Sequence, residues 1–147
     1  RAFAPRDARV HLGGGSTYRA AAALAGTYLS MGAKRVLFDY VFQRPEHLRY
    51  FLGAHTSSAP VHAFTLWAPL AVVQNRDAGR PPEQRVGARV EECHLEMESR
   101  LEAFGRVLRN QDVPADAIAL QIHELVASGA GRIDGVDAGQ PLQVDPG

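Results

Sequence analysis

The sequence predicts an α/β fold in which helices flank a parallel sheet. Short apolar runs typical of strands alternate with segments whose apolar residues recur at helical spacing, and the connections between them are short. Three of the predicted helices begin at or beside a proline, at positions 45, 69 and 114. Alternation of this kind favours parallel strands joined by right-handed helical crossovers, and no internal repeat is visible.

The composition is that of one domain with a sizeable core. The chain has 147 residues, 46% of them apolar, and its sixteen basic residues balance sixteen acidic ones, which gives no reason to expect a nucleic-acid partner. Cys93 is the single cysteine, so an internal disulfide is excluded. Together with the lack of a signal-peptide or transmembrane pattern, it favours a cytoplasmic protein without a membrane partner. The predicted domain spans residues 1–129, with an irregular segment at 1–15, and residues 130–147 are expected to be a tail.

The segment from Lys34 to Leu48 predicts the central strand and the start of the helix after it. Residues 36–42 are apolar except for Asp39, and we predict a strand at 35–41 with this carboxylate near its C-terminal end. The next helix is predicted at Pro45–Leu52, where proline suits the first position. Ligands bind beside the C-terminal ends of parallel strands, so Asp39 is a candidate for holding magnesium or water or for acting as a general base. The alternative is a structural carboxylate that caps a neighbouring loop.

The remaining elements follow in order along the chain. A short strand is predicted at Arg9–Leu12, a helix at Tyr18–Ser30, a strand at Val61–Trp67, a helix from Pro69 to about Arg80, a strand at Gly105–Arg109 and a last helix from Pro114 to Gly129. Between the second and third of these strands, a long amphipathic helix is predicted from Glu83 to about Phe104. Its apolar stripe consists of Val86, Val90, Cys93, Met97, Leu101 and Phe104. Cys93 is thus most simply a core residue.

Four arginines bracket a break between two predicted helices. They are Arg76, Arg80, Arg85 and Arg89, which surround the sequence Gly79-Arg80-Pro81-Pro82. A guanidinium presents a fork of donors that matches phosphate oxygens, and a hinge at such a break would let the arginines close over a ligand. They are therefore candidate phosphate-binding residues. The alternative is a solvated charged loop.

The glycine-rich segment at 13–17 is a candidate anion cradle. Gly13, Gly14, Gly15, Ser16 and Thr17 precede a predicted helix, and glycine lets backbone N–H groups approach a phosphate at a helix N-terminus. The spacing is too short for the P-loop pattern GxxxxGK[ST], and no lysine follows directly. A flexible linker ending in a helix cap is the alternative, and a Rossmann-like dinucleotide site would lack its GxGxxG pattern. The six histidines are scattered, without the spacing of a metal site.

Three further segments, in a fixed order, carry a resemblance to a known family. They are KRVLFDYVFQRPEHLR at 34–49, VHAFTLWAPLAVVQNRDAGR at 61–80 and GRVLRNQDVPADAIALQIHELV at 105–126. This order resembles small P-loop phosphotransferases, the group that includes chloramphenicol phosphotransferase-like and zeta-toxin-like small-molecule kinases. The resemblance covers about residues 16–128. The family's first strand and Walker A lysine, which should precede these segments, are not in this chain, which begins at Arg1 without a methionine.

The resemblance implies a three-layer, P-loop NTPase-like parallel sheet that lacks its first strand and P-loop. The strands at 35–41 and 61–67 would then flank an empty position, to be filled by a missing chain segment, by a partner such as a second copy, or by Arg9–Leu12. The implied activity is transfer of the ATP γ-phosphoryl group to a hydroxyl of a small molecule, with magnesium. The alternative is a noncatalytic α/β regulatory or interaction module that has lost the P-loop.

The same resemblance implies a role for each candidate residue. Asp39 would be catalytic and lie near magnesium, Arg76 and Arg80 would be catalytic arginines that neutralise the transferred phosphoryl group, and Arg44 and Arg85 would bind the substrate. Nucleotide binding would involve Gly13, Gly14, Gly15, Ser16, Thr17, Asn110 and Gln111, with Asp112 also beside the base. We expect Asp39 and the arginines to face one cleft.

Overall fold

A computed structural model describes residues 15–133 of the chain. Within them the α-helices are α1 (Ser16–Ser30), α2 (Pro45–Ala54), α3 (Leu70–Ala78), α4 (Arg89–Glu98) and α5 (Ala115–Ser128). The strands are β1 (Val61–His62), β2 (Phe64–Trp67), β3 (Arg106–Arg109) and β4 (Arg132–Ile133), and 3₁₀ turns span Pro82–Gln84 and Leu101–Phe104. The predicted strand Arg9–Leu12 lies outside the described residues. The described chain up to Ala59 belongs to one compact unit, and the chain from Pro60 belongs to a second.

Prolines and glycines set several helix boundaries. Pro45 is the first residue of α2, while Pro69 and Pro114 directly precede α3 and α5. The fixed φ of proline suits these positions, where its missing N–H costs no helical hydrogen bond. Gly129 ends α5 in the left-handed region, with a φ of 86°. The helices predicted at 18–30, 45–52, after Pro69 and after Pro114 are therefore confirmed, and no described helix is long and apolar enough to cross a lipid bilayer.

The first unit is built on the packing of α1 against α2. Tyr18, Ala22 and Ala25 form the buried face of α1, at steps of four and three, and Leu48 and Phe51 are buried on α2. The small side chains of the two alanines let the helix backbones approach each other closely. Tyr18 and Phe51 add one large aromatic ring from each helix to this packing.

In the second unit, Ala63 divides the predicted strand Val61–Trp67 into two strands that belong to different sheets. Its N–H donates to the Gly131 carbonyl at 2.9 Å, beside the antiparallel pair β1–β4. Its carbonyl accepts a hydrogen bond of 2.9 Å from the Arg106 N–H, beside the parallel pair β2–β3. The strand predicted at 61–67 is therefore wrong as one continuous strand, whereas β2 and β3 lie within the segments predicted at 61–67 and 105–109 and are parallel, as predicted. Strand β4 falls within the segment predicted as a tail, of which residues 134–147 lie outside the described residues.

The predicted three-layer parallel sheet is wrong for the described chain. Its strands form two separate sheets of two strands each, one antiparallel and one parallel. The remaining segment that is predicted as a parallel strand, residues 35–41, is not a strand. Strand propensity measures how well side chains fit a pleated surface beside other strands, and no described segment pairs with these residues. Without that neighbour, the described residues do not form a P-loop NTPase-like sheet.

The long helix predicted from Glu83 to about Phe104 is also wrong. The segment forms a 3₁₀ turn, the shorter helix α4 and a second 3₁₀ turn. Gly87 has a φ of 69° and interrupts the helix, and the N–H groups of Val86 and Gly87 bind a side chain instead of a preceding carbonyl. Of the predicted stripe, Val90 and Phe104 are buried, Cys93, Met97 and Leu101 are half-buried, and Val86 is exposed.

Candidate functional site

Strands β2 and β3 end side by side at Trp67 and Arg109, which face each other in the register of the parallel pair. The Asn110 N–H donates to the Trp67 carbonyl at 3.0 Å and extends the pairing by one residue. Ligands of α/β proteins bind beside the C-terminal ends of parallel strands, so a site is expected at this edge. We call the residues gathered there the carboxyl-edge cluster: Trp67, Ala68, Arg76, His94, Asn110 and Gln111.

Arg76 fixes the loop that follows β3. It lies in the last turn of α3, and its Nη2 donates to the carbonyls of Asn110 and Gln111 at 2.7 and 3.1 Å. Its Nη1 lies 3.4 Å from the Asn110 Oδ1. The structure therefore brings together an arginine and two loop residues that the sequence predicts as site residues, but they bind one another. Arg76 thus holds this loop against the end of α3.

His94 is a functional candidate that the sequence does not reveal. It lies on α4, is 7% exposed, and its Nε2 is 3.0 Å from the Ala68 carbonyl, directly after β2. A carbonyl only accepts, so Nε2 carries the proton and Nδ1 keeps a lone pair, which is buried without a hydrogen-bond partner among the described residues. The His94 ring also packs at 4.2 Å from the Trp67 ring. An unsatisfied buried acceptor is costly, so this atom is a point where a donor would bind favourably.

Asp77 anchors the loop between α3 and α4. Its carboxylate, 5% exposed, accepts hydrogen bonds from the Val86 N–H at 2.9 Å and from the Gly87 N–H at 2.8 Å. The Arg80 Nη1 lies 3.4 Å from the same carboxylate. The two backbone hydrogen bonds hold the pKa of the Asp77 carboxyl below its ordinary value, because they favour the charged form more than burial disfavours it. One buried carboxylate thus ties Val86, nine positions further along the chain, back to the end of α3.

The loop held by Asp77 carries two of the predicted arginines. The Arg85 Nε donates to the Arg80 carbonyl at 2.9 Å, so the two residues are tied within the same turn. Both residues are exposed, and so is Arg89 at the start of α4. The loop is therefore an anchored turn that presents guanidinium groups at its surface. Such groups match the oxygens of a phosphate.

Asp39 and Arg44 lie in the first unit, apart along the chain from the arginine-bearing loop of the second. Both are exposed, Asp39 within the segment that forms no strand and Arg44 as the residue that caps α2. Asp39 offers one carboxylate, and the described residues contain no group of three His, Cys, Asp or Glu side chains that would hold a metal ion. The cleft expected to join Asp39 to the arginines stays a prediction.

The structure describes only Gly15, Ser16 and Thr17 of the glycine-rich segment, and its role as an anion cradle stays a prediction. Gly13 and Gly14 lie outside the described residues, and Gly15 caps α1 with a φ of 80°. A Cβ at Gly15 would overlap the ring of Tyr50, so this close approach and the positive φ both require glycine at this position. The Arg19 guanidinium covers the same ring at 5.1 Å. Since Lys34, the only lysine, lies seventeen residues after Thr17, we expect residues 15–17 by themselves to bind the triphosphate of ATP weakly.

Comparison of the chain with protein-family models, curated proteins and solved structures finds no match. The resemblance to small P-loop phosphotransferases therefore stays a prediction. Any assignment of function depends on the residues and the geometry described above.

Proposed function

We propose that the chain is part of a phosphotransferase that moves the γ-phosphoryl group of ATP to a hydroxyl of a small molecule. The observation that carries this proposal is the anchored loop of the second unit. Asp77 accepts the N–H groups of Val86 and Gly87, and the loop it closes exposes Arg80 and Arg85. In this proposal, residues outside 15–133 hold the nucleotide and the protein is cytoplasmic, which the single cysteine supports.

Arg80 and Arg85 would neutralise negative charge on the phosphoryl group as it is transferred. Phosphoryl transfer depends mainly on positioning and on electrostatic stabilisation of the equatorial oxygens. Arg80 already has an anionic neighbour in Asp77, at 3.4 Å, which orients its guanidinium while about half of the side chain stays exposed. Arg76 would hold the loop after β3 in place. Magnesium, when bound with the nucleotide, would offset charge on the phosphates.

The proposal is tested on the protein expressed from its complete reading frame. ADP release is measured with a mixture of small hydroxyl acceptors. Arg80→Ala and Arg85→Ala should each lower kcat about a hundredfold, as expected for groups that stabilise transition-state charge. Arg100→Ala is the matched control, because Arg100 is exposed on the same unit but lies outside the loop. Acceptor-dependent ADP release that is equally fast in Arg80→Ala, Arg85→Ala and Arg100→Ala would contradict the role of the loop.

A second candidate function is a noncatalytic interaction module. The observation that favours it is the exposed apolar segment at residues 36–41 in the first unit, which no described segment covers. Failure of the protein from the complete reading frame to bind ATP or release ADP would favour this function over phosphotransfer.

A further inference from the structure

The first unit exposes an unusual amount of apolar surface in one short segment. We call Val36–Val41 the edge segment. Leu37 is 92% exposed, and Tyr40 and Val41 are each more than half exposed. No backbone hydrogen bond joins the edge segment to the backbone of another described residue. Apolar side chains and unpaired backbone groups in the same place are typical of an open strand edge.

One face of the edge segment, its aromatic face, makes ring contacts with α1 and α2, while its Tyr40 stays 54% exposed, and the other, its open face, is exposed throughout. Phe38, Tyr40 and Phe42 lie at every second position, and the Phe38 ring is 6.0 Å from Tyr40 and 5.8 Å from Phe42. Phe38 also stacks on Phe51 of α2 at 5.6 Å, and the Tyr18 ring of α1 lies 5.0 Å from Phe42. Contacts at a period of two indicate extended backbone. The odd-numbered residues, Arg35, Leu37, Asp39 and Val41, are all exposed and form the other face.

One backbone edge of the segment is used, and the other has no backbone partner among residues 15–133. The Tyr18 hydroxyl donates to the Val41 carbonyl at 2.9 Å, so that this carbonyl points toward α1. Backbone groups alternate between the two edges of an extended chain, so the groups of Leu37 and Asp39 point the same way. The groups of Val36, Phe38 and Tyr40 then point to the opposite edge. That edge has donors and acceptors for one further strand.

We propose that a second copy of this chain supplies that strand, paired antiparallel about a two-fold axis through Leu37. In this register Arg35 lies opposite Asp39 of the second copy, and the symmetry makes the same pair twice. The H-bonded pairs join Val36 to Phe38, which uses the open backbone edges of both copies. Formal net charge is zero, so no long-range repulsion opposes self-association.

The charges of the open face select this register. A two-fold axis through Phe38 would place Leu37 opposite Asp39, and an axis through Asp39 would place two carboxylates together. An axis through Val36 would place Arg35 opposite Leu37. A register shifted by one residue would turn the aromatic face of one copy toward the open face of the other. Only the axis through Leu37 pairs opposite charges and leaves the aromatic face on α1 and α2. Dimer formation needs none of the arginines assigned to phosphoryl transfer.

A charge-swap experiment tests both the dimer and its register. The molecular mass of the 147-residue chain is measured by sedimentation velocity over a range of concentrations, and we expect a monomer–dimer equilibrium. Arg35→Asp and Asp39→Arg should each raise the dimer dissociation constant about tenfold, because two cross-strand pairs change from attractive to repulsive. The double variant should return to the wild-type value, since it restores both pairs in reversed order. Leu120→Lys, at an exposed apolar position of the second unit, should leave dimerisation unchanged.

A cross-link tests the same axis without changing charge. In a Cys93→Ser background, Leu37→Cys should form a disulfide-linked dimer under mild oxidation, because residues on the axis of such a pair lie within disulfide reach. Leu120→Cys in the same background should cross-link much more slowly. A wild-type chain that stays monomeric overturns the proposal. The strand that pairs with the open edge would then come from a different protein. Dimers that tolerate both single charge reversals overturn it as well.

Discussion

The edge segment and β2 have the same kind of sequence, yet only β2 is a strand. VLFDYV at 36–41 and FTLW at 64–67 are both rich in aromatic and aliphatic residues. Strand β2 has β3 beside it, in register from Phe64 to Trp67, whereas no described strand lies beside the edge segment. A neighbouring strand, more than composition, therefore decides whether an apolar run becomes a strand.

The sharpest way to test this comparison is to shorten one leucine in each region. Leu108 on β3 is buried beside β2, while Leu37 is almost fully exposed. Leu108→Ala should destabilise the second unit by about 2–5 kcal/mol, because it leaves a cavity in a packed core. Leu37→Ala should cost less than about 0.5 kcal/mol in the monomer. Denaturant titration followed by circular dichroism measures both, and Trp67 fluorescence reports the second unit. Similar losses for the two variants would show that the edge segment is packed after all.

A second pair of variants compares two carboxylates. Asp77 is buried and binds two N–H groups, whereas Asp39 is exposed in the edge segment. Asp77→Asn places an amide N–H₂ where the loop needs an acceptor and should lower the Tm by about 5 °C. Asp39→Asn should leave the Tm of the monomer unchanged. Thermal unfolding at neutral pH separates the two cases, and an unchanged Tm for Asp77→Asn would mean that the loop is not anchored.

The Asp77 hydrogen bonds also predict how stability depends on acid. The pKa of Asp77 is lowered in the folded chain, so the folded state holds the charged form more strongly than the unfolded state does. Its contribution is therefore complete above the ordinary carboxyl pKa of about 4 and is lost as the pH falls through the lowered folded value. The difference in Tm between wild type and Asp77→Asn should shrink over that acid range. A difference that stays constant there would argue against this cause.

A third variant weakens the connection between the edge segment and α1. Tyr18→Phe removes the hydrogen bond to the Val41 carbonyl, together with the 2.9 Å contact between the same hydroxyl and the His47 Nδ1, and should cost about 1 kcal/mol, with the exposed Tyr28→Phe as control. Burial, with a smaller contribution from Tyr40, raises the pKa of Tyr18 to about 12 from an ordinary 10.0. Since the raised value belongs to the folded state, this contribution is present below pH 10.0 and is lost as the pH rises toward 12. Alkaline unfolding that is the same in Tyr18→Phe and wild type would rule out this tether.

The smallest effect expected is in nucleotide binding by the 147-residue chain itself. Gly15 is covered by the Tyr50 ring, and the chain's only lysine, Lys34, does not follow the glycines. Calorimetry at millimolar ATP should therefore give no saturable, magnesium-dependent signal. Micromolar affinity would instead make residues 13–17 a working phosphate site.

Features with a local cause could be predicted from the sequence, and features that need a distant partner could not. Pro45, Pro69 and Pro114 place helix starts because proline acts on its own backbone. The sequence predicts a strand at 35–41, and this is wrong because the same apolar pattern is equally compatible with an unpaired extended chain. An apolar pattern does not identify the strand that would pair with it.

The candidate site shows the same contrast between features with a local cause and features that need a distant partner. Arg76, Asn110 and Gln111 were predicted as site residues and do meet, but their mutual hydrogen bonds were not foreseen. The sequence pattern does not indicate Asp77 or His94 as site residues. Asp77 binds N–H groups nine and ten residues away, and His94 binds the carbonyl of a residue twenty-six positions away. The positive φ at Gly87 is the one local feature of that loop, and glycine alone does not indicate which side chain will bind its N–H.

Hydrogen exchange of the backbone amides tests most directly whether the edge segment is an open strand edge while β2 is a paired strand. In the dilute, monomeric chain, the amides of residues 36–41 should exchange close to the unfolded rate, and those bonded between β2 and β3 should be protected. As the chain concentration rises, protection should appear at Val36 and Phe38 as their amides pair with the second copy. Strong protection of residues 36–41 that is present at every concentration would contradict the account, because the segment would then already be paired within one chain.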